Sequence, residues 1–430
     1  MHEQIAQGDS REVGLAYLTV SGSTVYRATK SKAWPGEAAP FVSDVWLARG
    51  GWEGPLVLDG AKVRGITPYL DPVTRVSGSP HRLSPRTQHS FIGSFVLGDG
   101  FVLSHEEARE LLEATPASRD VVQPFLNGED LSRRPDQSPS RQVINFHDWS
   151  IDEARNYPAC WEIVDQRVRP ERQRRNDQGD YVLRRPLPER FWQYADKRPA
   201  LYRDLSGLSR ALVGPQTAKF WSVSFVPTGW VYSHALTVFA FEDDARAAVL
   251  SSTFHDAWAR KYSGSLKFDL RYSPTDCFEN FAFPADLDSL PQIGERYLSH
   301  RKATMLDQDQ GLTTVYNRVH EQPEDVDPAI VKLRSLRREL DRAVADAYGW
   351  ADLELELDFR ETPLGLRYTI DEPTKAEALD RLLELNHERH AEEAALGLHD
   401  GKHKKPRRPR KPEAPPASQP GGGGRLFADG

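Results

Sequence analysis

Three charged side chains occupy alternate positions in the second half of the chain, at Lys267, Asp269 and Arg271. If Leu266 to Arg271 forms one β-strand, alternate residues point to one face and these three project together. A lysine donates to the N7 and O6 acceptors of guanine in the major groove, and a carboxylate accepts from the cytosine amine. The spacing therefore fits the reading of one G·C base pair. A cross-strand ion pair on an exposed sheet explains the same pattern.

A second group of cations lies upstream, near the end of a stretch with apolar residues at helical spacing. It consists of Arg169, Arg172, Arg174 and Arg175, followed by Asn176. Such clusters contact phosphates and set the register of a protein on DNA without reading sequence. We predict phosphate contacts for these arginines and for Lys219, with a plain solvated face as the alternative. The neighbouring Trp221 either approaches DNA or packs in a core.

The sequence carries no complete catalytic motif. An adenine methyltransferase needs a Gly-rich turn for S-adenosylmethionine and a (D/N)-P-P-(Y/F/W) loop for the flipped base. The only Pro-Pro pair is Pro415-Pro416, in a low-complexity stretch, and Gly98-Asp99-Gly100 is too short for a nucleotide-binding turn. There is no G-K-[ST] loop and no convincing nuclease pattern, and the two cysteines lack metal-site spacing. We therefore predict no catalytic residue and no metal ligand, and a chain that is not active alone.

The net charge of the whole chain and the charge of its middle part point to different partners. The net charge of −7 argues against nucleic acid, but a binding footprint is local. Residues 141–220 hold fifteen Lys and Arg against eleven Asp and Glu, a net of +4. The basic stretch 402–411 either adds non-specific DNA affinity or only aids solubility. Because the sequence has no long apolar run and no apolar signal core, we expect a soluble, cytoplasmic protein.

The order of elements predicts an α+β fold. Residues 15–20 and 41–48 are typical of strands, 46–58 of a hairpin, and 211–241 of an antiparallel sheet. Helices are predicted over 243–262, 329–349 and 375–396. Ser104 with Glu107, and Ser150, predict helix N-caps. On the helix at 243–262, His255 and Trp258 are predicted to be packing residues.

Residues 251–284, SSTFHDAWARKYSGSLKFDLRYSPTDCFENFAFP, resemble the end of the target-recognition domain in MmeI-type (type IIL/IIG) adenine-specific methyltransferases. In that family an S-x-x-H-x-x-W helix is followed by a strand ending in R-Y-S and by an F-x-F-P segment. Further matching segments follow in the family's order: SKAWPGEAAPFVSDVWL, LDGAKVRGITPYL, FIGSFVLGDGF, PFLNGEDL, VRPERQRRN, DRAVADAYGW and LDRLLELNHERHAEE. The resemblance covers roughly residues 15–396.

This resemblance implies four regions. Residues 1–70 link to, or complete, a methyltransferase domain, and residues 71–290 form a target-recognition domain with a mixed or antiparallel sheet. Residues 291–400 form a C-terminal helical domain, and residues 401–430 a disordered basic tail. It also implies that the strand with Lys267, Asp269 and Arg271 reads bases.

Family members carry the S-adenosylmethionine and (N)PPY motifs upstream on the same polypeptide, whereas this sequence begins after that point. We therefore expect a split subunit or a truncated gene. The chain would act as a specificity subunit on double-stranded DNA. It would direct adenine methylation by a separately encoded methyltransferase subunit, which would hold S-adenosylmethionine. A complete methyltransferase with degenerate motifs and a non-catalytic assembly fragment remain alternatives.

Overall fold

The computed structural model describes residues 3–6, 8–33, 41–84, 89–266, 269–362 and 364–399. Over these residues the chain is an α+β protein, as the sequence predicts. The tail predicted at 401–430 lies outside the described residues. None of the described helices combines the length and the apolar character needed to cross a bilayer.

The N-terminal part is a helical segment followed by a four-stranded sheet. Residues 8–20 comprise α1 (Gly8–Arg11), a π-helical turn (Glu12–Ala16) and α2 (Tyr17–Val20). The predicted strand at 15–20 is therefore wrong, because a short apolar run fits either period. The strands are β1 (Ser23–Ala33), β2 (Phe41–Arg49), β3 (Leu56–Leu58) and β4 (Ala61–Val63), in the order β2-β1-β3-β4.

The hairpin predicted over 46–58 is also absent from this sheet. β1 pairs antiparallel with β2 and parallel with β3, so β1 lies between the two strands that the sequence suggested as neighbours. Gly-rich turns mark where a chain bends, but not which strand pairs with which.

The middle of the chain contains two further four-stranded sheets. The elements are β5 (Ser90–Ile92), β6 (Val102–Leu103), α3 (His105–Ala114), β7 (Val122–Leu126), α4 (Gly128–Arg133), β8 (Arg141–Ile144), α5 (Ile151–Arg155), α6 (Pro158–Arg167), α7 (Arg169–Arg172), α8 (Pro199–Leu205), β9 (Arg210–Pro215), β10 (Thr217–Ala218), β11 (Ser224–Pro227), β12 (Val231–Tyr232) and β13 (Leu236–Phe239). The strand orders are β11-β9-β13-β5 and β12-β7-β8-β6. The first sheet is antiparallel throughout, as predicted for 211–241. β12, which the prediction placed in the same sheet, pairs parallel with β7 in the second sheet instead.

Local capping rules hold in this region. Ser104 and Ser150 each accept a hydrogen bond from the backbone N–H three residues on, and the carboxylates of Glu107 and Glu153 accept one from the backbone N–H of the cap residue. Both are capping boxes, which confirms the predicted helix starts.

The long helix predicted at 243–262 is two helices, α9 (Asp244–Ser251) and α10 (Thr253–Tyr262). The break is at Ser252, whose backbone is extended and whose Oγ accepts a hydrogen bond from His255 N at 3.3 Å. Asp341 accepts from the N and Oγ1 atoms of Thr253 at 2.8 and 2.5 Å. This contact comes from a distant helix, so the local apolar pattern does not reveal the break. A small hairpin follows, β14 (Gly264–Leu266) and β15 (Asp269–Arg271).

The C-terminal part packs its helices directly onto the preceding sheet and helices. Its elements are α11 (Pro291–Asp307), α12 (Leu312–Glu321), α13 (Pro328–Ala347), β16 (Asp358–Thr362), β17 (Gly365–Thr369) and α14 (Glu372–Ala395). The helices predicted at 329–349 and 375–396 are thereby confirmed. One hydrophobic core extends from Leu212 through Trp258 to Leu383. The hydrophobic core continues across residue 290. The domain boundary placed there stays a prediction.

Candidate nucleic-acid interface

The charged triplet predicted for one strand belongs to a hairpin instead. β14 and β15 pair antiparallel with Leu266 opposite Asp269, so the chain reverses between these residues. Lys267 is one of the two residues between them and lies outside the described residues. The prediction of one continuous strand over 266–271 is therefore wrong. No Asn-Gly or similar turn signal marks the reversal, so the apolar alternation alone indicated a single strand.

Asp269 and Arg271 do share one strand, with Leu270 between them pointing into the core. Arg271 is exposed and Asp269 is half-buried, and neither forms an ion pair with a described residue. Ser263 Oγ donates to the Arg271 carbonyl at 2.6 Å, and Thr217 of β10 pairs with Arg271 on the other side. The backbone of Arg271 is thus fixed on both edges while its guanidinium remains available to an acceptor.

A buried aromatic stack supports this hairpin from below. Tyr272 follows β15 directly and stacks on Trp221 with ring centroids 3.8 Å apart. Tyr272 Oη lies 2.9 Å from His255 Nε2, and Trp221 Nε1 donates to the Leu250 carbonyl at 2.9 Å. Burial lowers the pKa of His255 to about 3, so its imidazole is neutral at physiological pH. Trp221 is a core residue that cannot approach DNA, and the packing roles predicted for His255 and Trp258 are confirmed.

Arg172 does not face solvent, which corrects its predicted phosphate contact. Its side chain is 2% exposed, and Nη2 donates to the carbonyls of Val96 and Leu97 at 2.7 and 3.0 Å. Burial in this setting lowers the pKa of Arg172. The arginine ties the end of α7 to the segment after β5, so its role is structural.

Two glycines beside this contact serve packing as well. A Cβ at Gly100 would lie 2.7 Å from Val168 Cγ2, and one at Gly98 would lie 3.0 Å from Glu171 Oε2. Gly98-Asp99-Gly100 leads into a 3₁₀ turn (Asp99–Phe101) against the end of α6, and no strand-to-helix turn is built there. This geometry does not fit the methionine part of S-adenosylmethionine.

Arg174 and Arg175 lie in a segment that we call the arginine loop, residues 173–190. Val182 N donates to the Arg174 carbonyl at 2.9 Å, and Asn176 Oδ1 accepts from the backbone N–H of Gln178 and Asp180. The loop is therefore an ordered turn with both arginine side chains exposed. Arg169, just before it, is paired with Asp165 and lies 4.7 Å from the Phe191 ring centroid.

Lys219 is engaged within the protein. Its Nζ donates to Asn317 Oδ1 at 3.0 Å and to Glu321 Oε2 at 2.6 Å, both on α12. Its predicted phosphate contact is corrected to an ion pair between the sheet and the C-terminal helices. The sequence offered no signal for this pair, because the partners lie about a hundred positions apart.

Residues 74–285, which contain the hairpin, the aromatic stack and the arginine loop, match the family model of the MmeI target recognition domain. This part of the chain is therefore similar in sequence to that domain family. The matched residues lie within 71–290, and the domain bounds themselves stay a prediction.

The fold resembles that of a solved restriction enzyme. The type IIL restriction-modification enzyme MmeI, determined in complex with DNA, superposes with a TM-score of 0.64 at 16% sequence identity. The match covers 91% of this chain and 49% of the MmeI chain, so this chain spans about half the length of MmeI. At this identity the likeness shows a common fold. No curated protein sequence matches this chain.

Within the MmeI target recognition domain, sequence reasoning missed several exposed cations. Arg184 and Arg190 lie in the arginine loop, are exposed, and form no ion pair with any residue that the structure describes. Arg198 lies shortly after the loop. The signal was present, because residues 169–198 contain nine Lys and Arg against five Asp and Glu. In this stretch, the sequence-based prediction of phosphate contacts included only Arg169, Arg172, Arg174 and Arg175.

Proposed function

We propose that this chain reads DNA sequence for an adenine-specific methyltransferase of the restriction-modification type. The observation that carries the proposal is the combination of the hairpin and the arginine loop within one MmeI target recognition domain. Rigid scaffolds that present a few unpaired polar side chains are suited to base reading, while exposed arginines nearby supply affinity for phosphates.

The hairpin provides the base-reading groups. The free guanidinium of Arg271 suits the N7 and O6 acceptors of guanine, and the carboxylate of Asp269 suits the cytosine amine. Because these side chains extend from one face of β15 at neighbouring positions, they can address neighbouring edges in the major groove. We include Lys267 in this group as a prediction from the sequence.

The arginine loop provides the phosphate contacts. Arg174, Arg175 and Arg184 are exposed, and the turn closed by Asn176 fixes the backbone of the first two. We propose Arg169 as a further contact, with Asp165 as the competing partner. Arg172 and Lys219 are left out, since both are engaged inside the fold.

Methyl transfer would take place on a separate methyltransferase polypeptide, with S-adenosylmethionine bound there. The sequence offers no such motif, and Gly98-Asp99-Gly100 serves packing. The N-terminal helical segment supports a partner, because Val13, Tyr17 and Val20 lie at helical spacing and are 78%, 65% and 89% exposed. Apolar stripes of this kind are usually covered in an assembly.

The test of base reading uses the full chain and a pool of randomised duplexes, from which bound sequences are recovered. We expect enrichment of one short sequence, and a changed base at one position for Arg271→Ala and for Asp269→Ala. A good bidentate contact discriminates by about 1–3 kcal/mol, so the shift is readily measured. The control is Arg296→Ala on α11, whose guanidinium pairs with Glu339 outside the domain. The same enriched sequence for all four proteins would contradict base reading by the hairpin.

A second arm tests the partner. The neighbouring upstream gene is checked for an adenine methyltransferase with an (N)PPY motif, that protein is mixed with the chain, and methyl incorporation is measured on the enriched duplex. We expect methylation of adenine in that sequence by the mixture alone. Equal modification of every adenine, or full activity of either protein by itself, would refute the division of labour.

A further inference from the structure

A cavity of about 580 Å³ opens beside the hairpin and the arginine loop. Its apolar walls include Phe95 and Val182, which are 37% and 47% exposed. Among the described residues of 74–285, these two are the large apolar side chains with more than about a third of their surface in water. Both face this cavity, so the exposed apolar surface of the domain is concentrated at one place.

The aromatic wall is rigid. Phe95 N donates to the Asp196 carbonyl at 3.0 Å, and Asp196 N donates to the Phe95 carbonyl at 3.1 Å. The Phe95 ring meets the His234 ring edge to face, with centroids 4.6 Å apart. His234 N in turn donates to the Ser94 carbonyl at 2.9 Å. The two rings are therefore held in place before any ligand arrives.

Cations and an amide complete the walls. Arg198 has a left-handed backbone (φ 51°), pairs with Asp196 at 3.3 Å, and has a buried Nε without a hydrogen-bond partner among the described residues. Non-glycine residues with such backbone angles are uncommon and concentrate at functional sites. Arg184 lines the same cavity and is exposed. An anionic group at the mouth would satisfy both guanidinium groups.

Gln216 connects the cavity to the hairpin. It lines the cavity, its N donates to the Ala235 carbonyl at 2.8 Å, and its carbonyl accepts from Tyr272 N at 2.7 Å. The next residue, Thr217, pairs with Arg271. Gln216 thus joins the wall of the cavity to the backbone of the strand that carries Arg271.

We propose that this cavity binds one unstacked nucleotide of the DNA, with its base against Phe95 and Val182 and its phosphate on Arg184 and Arg198. Gln216 has a side-chain amide that can pair with a base edge. The volume lies within the range of small-ligand pockets and holds a single nucleotide. Aromatic stacking combined with arginine contacts is the usual way in which proteins hold unpaired bases. This inference rests on the proposed DNA-reading function.

The test compares two 30-base-pair duplex pools that differ by one unpaired nucleotide at the centre. Moving a nucleotide of a paired duplex into the cavity costs the free energy of unpairing and unstacking it. A nucleotide that is already unpaired avoids most of this cost. We expect the full chain to bind the bulged pool about tenfold more tightly, and 2-aminopurine at the unpaired position to change its fluorescence on binding. Phe95→Ala should abolish the preference and the fluorescence change while leaving the affinity for the paired pool nearly unchanged. Trp52→Ala, which removes a ring of similar exposure (42%) outside residues 74–285, should keep both.

The outcomes separate this inference from the proposed function. If sequence-specific binding to paired DNA is found but the two pools bind equally, the cavity has no such role and the proposed function stands. If neither pool binds, the proposed function fails first and the inference falls with it. A third arm titrates the chain with dAMP alone. Micromolar binding of dAMP that is unaffected by duplex DNA would overturn the inference in favour of a free nucleotide.

Discussion

Arginines of the arginine loop and arginines of the C-terminal helices differ in what surrounds the guanidinium. Arg174 and Arg184 are exposed and form no ion pair with a described residue. Arg301 and Arg334 are 2% and 7% exposed. Arg334 donates to four backbone carbonyls around the end of α12, at 2.7 to 3.1 Å. The first pair is free to bind an anion, and the second pair holds the fold together.

This difference explains why the net charge of a segment is a poor guide to its partner. Arg172 contributes to the net charge of +4 over residues 141–220, yet its guanidinium donates hydrogen bonds to backbone carbonyls inside the protein. Lys219 contributes as well, and it is paired with Glu321. A cation contributes less to a DNA-binding surface when its hydrogen bonds are already made inside the protein.

The largest effect is expected when a buried arginine is removed. Arg301 donates to Tyr316 Oη, the Val223 carbonyl and Ser224 Oγ at 2.9, 2.6 and 2.8 Å, and so joins α11 to the sheet. Arg301→Met leaves these acceptors unsatisfied, and we expect the free energy of unfolding to fall by about 2–4 kcal/mol. Urea denaturation measures this loss. The DNA affinity of the folded fraction should stay as in the wild type. A loss of DNA binding without a loss of stability would contradict the structural role of Arg301.

A smaller effect is expected at the arginine loop, where DNA affinity should change and stability should not. Arg184→Met removes an exposed cation, so the free energy of unfolding should change by no more than about 0.5 kcal/mol. DNA affinity should fall by about 1 kcal/mol at low salt, and the slope of log affinity against log salt by about 0.9. Fluorescence anisotropy over a salt series measures both quantities. An unchanged slope would show that Arg184 does not meet a phosphate.

The smallest effect is expected at Lys219, where sequence and structure disagree. Its side chain is 40% exposed and its ion pair with Glu321 is partly in water, so Lys219→Met should cost no more than about 1 kcal/mol of stability. The salt slope of DNA binding should be that of the wild type. A drop in the salt slope as large as that of Arg184→Met would support the phosphate contact that the sequence predicted for Lys219.

Features governed by neighbouring residues were predictable. The capping boxes at Ser104 and Ser150, the antiparallel pairing of β9 with β11 and β13, and the two long C-terminal helices appear as expected. Their signals are periodicity and caps, which act over a few residues. The errors involve short elements, where one apolar run fits a strand or a helix, as at 15–20.

The candidate site was predictable only in part. Asp269 and Arg271 were placed on one strand, and that strand is found, but the reversal before it was not foreseen. Arg184, Arg198 and Gln216 come together around the cavity from separate segments. Nothing in the local sequence brings Phe95 beside Asp196, since their pairing joins residues about a hundred positions apart.

The amino-acid sequence alone determined the α+β class, the main helices and the kinship with the MmeI target recognition domain, because these depend on local pattern and motif order. Only the tertiary structure decided which charges are free. A cationic side chain becomes engaged within the protein when a distant carbonyl or carboxylate comes within hydrogen-bond distance, as for Arg172 and Lys219. Such encounters depend on how elements pack, and residue type and spacing do not encode them locally.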